Sequence, residues 1–199
     1  MTDKYQNKYR IKSTRLQDYD YTRAGLYFIT ICTQNHKHYF GKIVDRKMHL
    51  SNIGVLADIF WNEMRRHIIN IELHQIVVMP NHIHGILEII DITHDSKNDA
   101  CIVTPKDDAC IVSTELHPTN THQSQNPKMT EISPKAGSLS VIISSYKSAV
   151  TKNAHRLGYK FEWQSRFYDH IIRDKNDYIR ILDYIESNPQ KWNEDKFHM

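Results

Sequence analysis

One run of the chain, residues 77–87, has the composition of a buried β-strand yet carries two histidines one residue apart. Its sequence is VVMPNHIHGIL. Successive strand side chains point to opposite faces, so His82 and His84 share one face while Ile83 lies on the other. Two imidazoles at the end of a hydrophobic strand are costly to bury alone, so they must be satisfied by hydrogen bonds or by a metal ion. The geometry suits two ligands of one metal.

The His-x-His spacing is weak by itself. With 13 histidines in 199 residues, about one such pair is expected by chance. The chain contains a second pair, His36 and His38, whose polar middle residue Lys37 and loop-like surroundings indicate no site. The strand context is what distinguishes His82 and His84.

A second segment, residues 174–189, predicts an amphipathic helix that ends near Pro189. Its apolar positions recur at helical spacing: Tyr178, Ile181, Leu182 and Ile185. Tyr184 falls at the border of this stripe, and Asn188 lies one turn further along the same face. Taken alone, the pair also fits a boundary tyrosine with its hydroxyl in water and an asparagine that closes the helix.

These two segments belong to a series of motifs spread through most of the chain. In order they are RLQDYDY (15–21), YFITICT (27–33), MPNHIHG (79–85), SYKS (145–148), WQSRFYDHIIR (163–173) and DYIESNP (183–189). The series resembles the REP-associated tyrosine transposases, a family of single-tyrosine HUH transposases. The resemblance implies that His82 and His84 are paired metal ligands, that Tyr184 is the nucleophile, and that Asn188 completes the metal site.

The chemistry implied by this resemblance needs a cation. A phenol with a pKa of about 10 is a poor nucleophile at neutral pH unless its anion is stabilised or its target is activated. Mg²⁺ or Mn²⁺ held by His82, His84 and the Asn188 oxygen would orient a phosphodiester and offset developing charge. The ligand types leave both metals open. By the resemblance, Tyr184 cuts single-stranded or hairpin DNA, forming a 5′-phosphotyrosyl link and a free 3′-hydroxyl, and the strands can be rejoined.

The order of predicted elements indicates one α+β domain, with antiparallel neighbours expected from the short links. The resemblance implies a ferredoxin-like antiparallel sheet with the helices packed on one face, the HUH endonuclease fold. We expect a basic N-terminal arm at 1–23 and a domain formed by 24–90 and 137–192. Between them, 91–136 is of low complexity, and it repeats DACIVT and DACIVS within 99–113. It is expected to be a disordered insertion with a local duplication.

Two groups of basic residues are candidates for DNA contact. Arg10, Lys12 and Arg15 in the arm could follow a phosphate backbone. Lys147, Lys152 and Arg156 flank the apolar stripe of a helix that begins near residue 139, where they form either a solvated face or a second DNA contact. The formal net charge of +3 permits nucleic-acid binding without demanding it.

Composition narrows the remaining classes of protein. There is no apolar run long enough to span a bilayer, and the polar start is not that of a signal peptide, so a cytoplasmic protein is expected. The three cysteines lack Cys-x-x-Cys spacing and are odd in number, which argues against a disulfide framework. The resembled family includes both single chains and dimers that share sites, so a homodimer stays open.

Two other functions remain compatible with the residues. A ferredoxin-like sheet can bind single-stranded nucleic acid by stacking, without catalysis. Alternatively, a bound metal could activate water, with Tyr184 only orienting the substrate. Tyr168 and Tyr178 are other possible nucleophiles, but Tyr178 is followed one turn later by Leu182 rather than by an amide.

Overall fold

The computed structural model of the protein describes residues 19–91 and 135–198, together with Leu16. A four-stranded antiparallel sheet has the order β4-β5-β1-β6, and a separate hairpin is formed by β2 and β3. The strands are β1 (Gly25–Cys32), β2 (Gly41–Val44), β3 (Lys47–Leu50), β4 (Ile71–Val78), β5 (His82–Ile89) and β6 (Tyr168–Ile172). The helices are α1 (Asn52–His67), α2 (Leu139–Arg156) and α3 (Lys175–Ser187), and short 3₁₀ helices lie at Gln34–His36 and Asn188–Glu194.

Local sequence signals explain the hairpin and the start of α1. Asp45 and Arg46 join β2 to β3 and have φ angles of 51° and 61°, as a two-residue type I′ turn requires. Ser51 caps α1, because its hydroxyl accepts a hydrogen bond from the backbone N–H of Gly54 at 3.1 Å. Short-range interactions therefore set both the turn of the hairpin and the first turn of α1.

The two faces of the sheet carry different helices. Alternate residues of β1 point to opposite sides: Tyr27 and Ile29 join the main core with α1 and α2, whereas Phe28 joins a smaller cluster with α3. The smaller cluster consists of Phe28, Ile86, Ile172, Ile181 and Ile185. The predicted α+β fold with an antiparallel sheet is confirmed, and α1 and α2 do share one face. The expectation that all helices lie on one face needs a correction for α3, because α1 and α2 already cover that face and the apolar stripe of α3 packs on the other.

Gly85 allows close packing between β5 and α1. A Cβ atom at this position would lie 2.5 Å from Cζ2 of Trp61. Trp61 is itself buried and packs edge-to-face on Tyr146, with ring centroids 5.5 Å apart. The glycine in the His-x-His-Gly motif is thus required by packing, and its close contact fixes β5 against α1.

The stretch before β6 is extended but forms little sheet. Trp163 makes an isolated bridge with Thr33, and its indole N–H donates to the carbonyl of Lys147 at 3.1 Å. Trp163 and Phe167 both pack against the main core. This favours a structural role for the two rings over a role in base stacking.

Several sequence predictions fall on residues outside the described part of the chain. These are the arm positions Arg10, Lys12 and Arg15, and nearly all of the insertion with its repeat at 99–113. Tyr19 and Tyr21, which the sequence assigned to the arm, pack against Tyr27 and the main core. Within residues 19–91 and 135–198, no helix combines the length and apolarity needed to cross a membrane.

Candidate active site

Both histidines of the motif lie at the start of β5, on the face of the sheet that α3 covers. His84 lies opposite Thr30 of β1, and His82 lies opposite Cys32. Both imidazoles are almost wholly buried, with 0% and 1% of their surface exposed, and their ring centroids are 4.5 Å apart. The alternation predicted from the sequence therefore brings two imidazoles side by side.

Asn81 fixes the orientation of the His82 ring. The amide nitrogen of Asn81 donates to the backbone carbonyls of Phe197 at 2.8 Å and His36 at 3.2 Å. This leaves its oxygen facing Nδ1 of His82, 2.8 Å away. Nδ1 must therefore carry the proton, so the lone pair of His82 lies on Nε2. The sequence analysis gave Asn81 no role, although a polar residue buried next to a histidine was a signal for one.

A chain of hydrogen bonds links His84 to the tyrosine of α3. The Tyr184 hydroxyl lies 3.1 Å from Nε2 of His84, and Nδ1 of the same ring lies 2.9 Å from the hydroxyl of Thr30. A consistent direction is donation from the phenol to Nε2 and from Nδ1 to Thr30. Hydrogen bonds in such a series polarise one another, and each becomes stronger. The Asn188 side chain lies close enough to the phenol to act on its pKa.

Burial keeps these groups in their neutral forms. It lowers the pKa of His82 to about 3, and it lowers the pKa of His84 well below its usual value, with the neighbouring His82 and Lys196 acting in the same direction. For Tyr184, burial raises the phenol pKa, the Asn188 hydrogen bond lowers it, and the charge of Asp195 raises it again. Neutral imidazoles are metal ligands, and the phenol needs a nearby cation to become a nucleophile.

Asp195 joins the two histidines in a group that fits a divalent cation. One ligand atom from each of His82, His84 and Asp195 lies within 4.8 Å of the others, and Nε2 of His82 is 3.8 Å from Oδ2 of Asp195. Among the described residues, neither Nε2 of His82 nor the buried Oδ1 of Asn188 has a hydrogen-bond partner. An orphaned imidazole nitrogen beside a buried carboxylate is what a bound cation would satisfy, and Asn188, with its orphaned oxygen, lines the same pocket as Asp195.

No sequence pattern indicated a role for Asp195, for a physical reason. Asp195 follows the 3₁₀ helix Asn188–Glu194, which turns the chain back toward the histidines after Pro189. A 3₁₀ segment of this length has no regular spacing of apolar residues, so the sequence does not show that the chain returns to the histidines. The only available signal was the acidic pair Glu194 and Asp195, just beyond the predicted domain boundary at 192.

Of the other candidates, Tyr168 lines the same pocket as Tyr184, whereas Tyr178 and the bases of α2 lie elsewhere. The hydroxyl of Tyr178 is 3.0 Å from Nδ1 of His74, not beside the paired histidines. The α2 residues Lys147, Lys152 and Arg156 do not line the pocket that adjoins Tyr184, as far as the structure describes its walls. The Lys147 ammonium instead donates to the carbonyl of Gln164 at 2.6 Å, and burial lowers its pKa.

An open pocket of about 550 Å³ adjoins the tyrosine and His84. Its walls come from the α3 face of the sheet, from α3 and from the residues that follow it. The Tyr184 side chain is 40% exposed. A substrate in this pocket would therefore contact the Tyr184 side chain.

The chain can be compared with known proteins of similar sequence or fold. No family model matches the chain. A protein of Haemophilus influenzae Rd, described only as uncharacterized, is 30% identical over 201 aligned positions, which cover 100% of this chain and 99% of that protein.

Two solved structures are also similar. One is described as a REP-associated tyrosine transposase bound to a REP hairpin; it aligns with a TM-score of 0.53 and 21% identity, over 92% of this chain and 76% of that one. Another, from Deinococcus radiodurans R1 and described as a candidate transposase, has a TM-score of 0.37 and 14% identity over 87% and 95% of the two chains. The chain thus belongs to one family with the Haemophilus influenzae protein, and it has the fold of the REP-associated tyrosine transposase that its motifs resemble.

Proposed function

We propose that this protein is a metal-dependent transposase that cuts and rejoins single-stranded DNA beside hairpins, with Tyr184 as its nucleophile. The observation that carries the proposal is the hydrogen bond of 3.1 Å between the Tyr184 hydroxyl and Nε2 of His84. It places a partly exposed phenol at the edge of a group that can bind a cation. The neighbour with the same fold is itself described as bound to a REP hairpin, which supports hairpin DNA as the substrate.

The proposed step is a transesterification. The oxygen of Tyr184 forms a bond to phosphorus while the bond between phosphorus and the 3′ oxygen breaks. The net proton movement is from the phenol to the departing oxygen, so the products are a 5′-phosphotyrosine and a 3′-hydroxyl. The energy of the phosphodiester is kept in the covalent link, so rejoining needs no further source of energy.

Each residue of the site has its own role in this step. His82, His84, Asp195 and the Asn188 oxygen would hold Mg²⁺ or Mn²⁺, which supplies positive charge for the phosphate oxygens and the phenolate. Asn81 keeps the lone pair of His82 directed at the site. Burial raises the pKa of the Tyr184 phenol, and the Asn188 amide offsets part of that rise.

The test is a denaturing gel of purified protein with a panel of hairpin oligonucleotides that have unpaired flanks. Each DNA is labelled at its 3′ end in one sample and at its 5′ end in another, with Mn²⁺, Mg²⁺ or EDTA present. A 5′-phosphotyrosine retains the 3′ label on the protein and releases the 5′-labelled fragment. We expect a metal-dependent adduct that Tyr184→Phe and His82→Ala abolish.

Tyr178→Phe is the matched control. It removes the hydroxyl of another tyrosine of α3, which hydrogen-bonds to His74. It should still form the adduct. Cleavage without an adduct, surviving Tyr184→Phe, would instead identify a hydrolase. Binding without cleavage on every hairpin would identify a non-catalytic nucleic-acid-binding module. Either result would overturn the proposal.

A further inference from the structure

Tyr168 is an exposed aromatic residue in the same row of the sheet as His84. Thr30 of β1 pairs with His84 on one side and with Tyr168 of β6 on the other, so the three side chains project from the same face. Two strand spacings, about 10 Å, separate the backbones of His84 and Tyr168. The ring therefore stands across the pocket from the paired histidines.

The environment of Tyr168 differs from that of a core aromatic. The residue is 47% exposed, and it lines the pocket that Tyr184 also lines. It lies at the start of β6, an edge strand of the sheet, and no other strand of the described residues covers it on that side. A large exposed ring beside a candidate active site suggests a binding role.

Basic side chains lie in the same pocket. Arg180, Lys191 and Lys196 all contribute to its walls, and the Lys196 ammonium is 6.0 Å from the centre of the Tyr168 ring. Glu194 and Asp195 also line it, but Asp195 belongs to the group that would hold the metal. Arg180 is paired with Asp177, and its side chain remains 73% exposed.

We propose that Tyr168 stacks on an unpaired base of the DNA strand, while Lys191, Lys196 and Arg180 contact its phosphates. This proposal rests on the proposed function, since the stacked base would lie close to the phosphate that Tyr184 attacks. Exposed aromatic rings combined with a basic groove are the usual means of holding a single strand without reading its sequence. The role of Tyr168 is to position the strand, and its hydroxyl takes no part in the chemistry.

The proposed role needs the aromatic ring of Tyr168 and not its hydroxyl. Tyr168→Phe keeps the ring, whereas Tyr168→Leu keeps bulk and apolarity but removes the face on which a base can stack. Loss of one base–aromatic stack corresponds to about a 5- to 100-fold weaker affinity. Both variants retain a side chain suited to a strand, so both should fold.

The test uses oligothymidylate carrying a single 2-aminopurine, moved along the strand in a series of probes, in EDTA so that no cleavage occurs. Affinity is measured by anisotropy, and stacking by quenching of 2-aminopurine fluorescence. Wild type and Tyr168→Phe should bind equally and quench the probe at one position. Tyr168→Leu should bind about 5- to 100-fold more weakly and lose that quenching. Melting temperatures confirm that the variants are folded.

Equal binding and quenching by Tyr168→Leu would overturn the inference, as would the absence of single-strand binding by the wild type. Adduct formation on hairpin DNA, measured separately with metal, reports on the proposed function. An adduct without dependence of binding on Tyr168 would refute the stacking role alone. Binding that depends on Tyr168 without any adduct would refute the proposed function and leave a nucleotide-binding pocket.

Discussion

Removing the hydroxyl of Tyr184 should strengthen metal binding. In the structure, the Tyr184 hydroxyl lies 3.1 Å from Nε2 of His84, and when the phenol is the donor this nitrogen carries the lone pair that a metal would need. The hydrogen bond and the metal therefore compete for one atom. Tyr184→Phe removes the competitor and leaves His82, Asp195 and Asn188 in place.

The size of the effect follows from the hydrogen bond that is lost. A net contribution of about 0.5–1.5 kcal/mol to the metal-free state corresponds to about a 2- to 10-fold gain in affinity. The lower end applies if the phenol finds another hydrogen-bond acceptor, such as water, when the metal binds. Isothermal titration calorimetry with Mn²⁺ at neutral pH, in the absence of DNA, measures this directly.

Tyr178→Phe is again the control, because its hydroxyl is bonded to His74 rather than to a site histidine. It should leave the affinity for Mn²⁺ unchanged. Weaker binding by Tyr184→Phe would mean that the phenol oxygen is itself a ligand. Unchanged binding would mean that His84 does not use Nε2 for the metal. Both results would refute the reasoning.

Three further predictions concern other parts of the structure. Asp195→Asn should weaken Mn²⁺ binding at least about 10-fold in the same calorimetric assay, and unchanged affinity would remove Asp195 from the metal site. Gly85→Ala should lower the free energy of unfolding by about 1–3 kcal/mol in urea titrations, because the new methyl group overlaps Trp61; an unchanged denaturation midpoint would contradict the packing argument. The pKa of Asp177 is lowered chiefly by the hydrogen bond that it accepts from His170. The stability that this interaction contributes is therefore fully present above the pKa of an unfolded aspartate, and it is lost as the pH falls through the folded-state pKa. The difference in Tm between wild type and Asp177→Asn should therefore shrink on acidification, and a constant difference would refute it.

The parts of the site that the sequence predicted are those set by local periodicity. His82 and His84 share a face because strands alternate, and Tyr184 and Asn188 are neighbours because helical positions four apart adjoin. Both relations depend only on nearby residues. The structure also brings the two pairs together, which neither pattern predicted by itself, and the chemical roles of these residues remain proposals.

The parts that the sequence did not predict depend on long-range packing. The side of the sheet that α3 covers is decided by which face α1 and α2 already fill, and no pattern within residues 174–189 reports on this. Asp195 reaches the histidines through a turn of the chain that has no periodic signature. The ring of Tyr168 is placed by the pairing of β6 with β1, which the sequence of β6 alone cannot fix.

The unequal division of the core has a consequence for how the protein opens. Among the residues that the structure describes, twenty buried ones form the main core with α1 and α2 on one face of the sheet, whereas five form the cluster that holds α3 to the other. Opening of α3 therefore exposes much less apolar surface than global unfolding and should cost less free energy. Its amide protons should then exchange with solvent before those of α1 and α2, so the helix that carries Tyr184 can lift while the strand that carries both histidines stays folded.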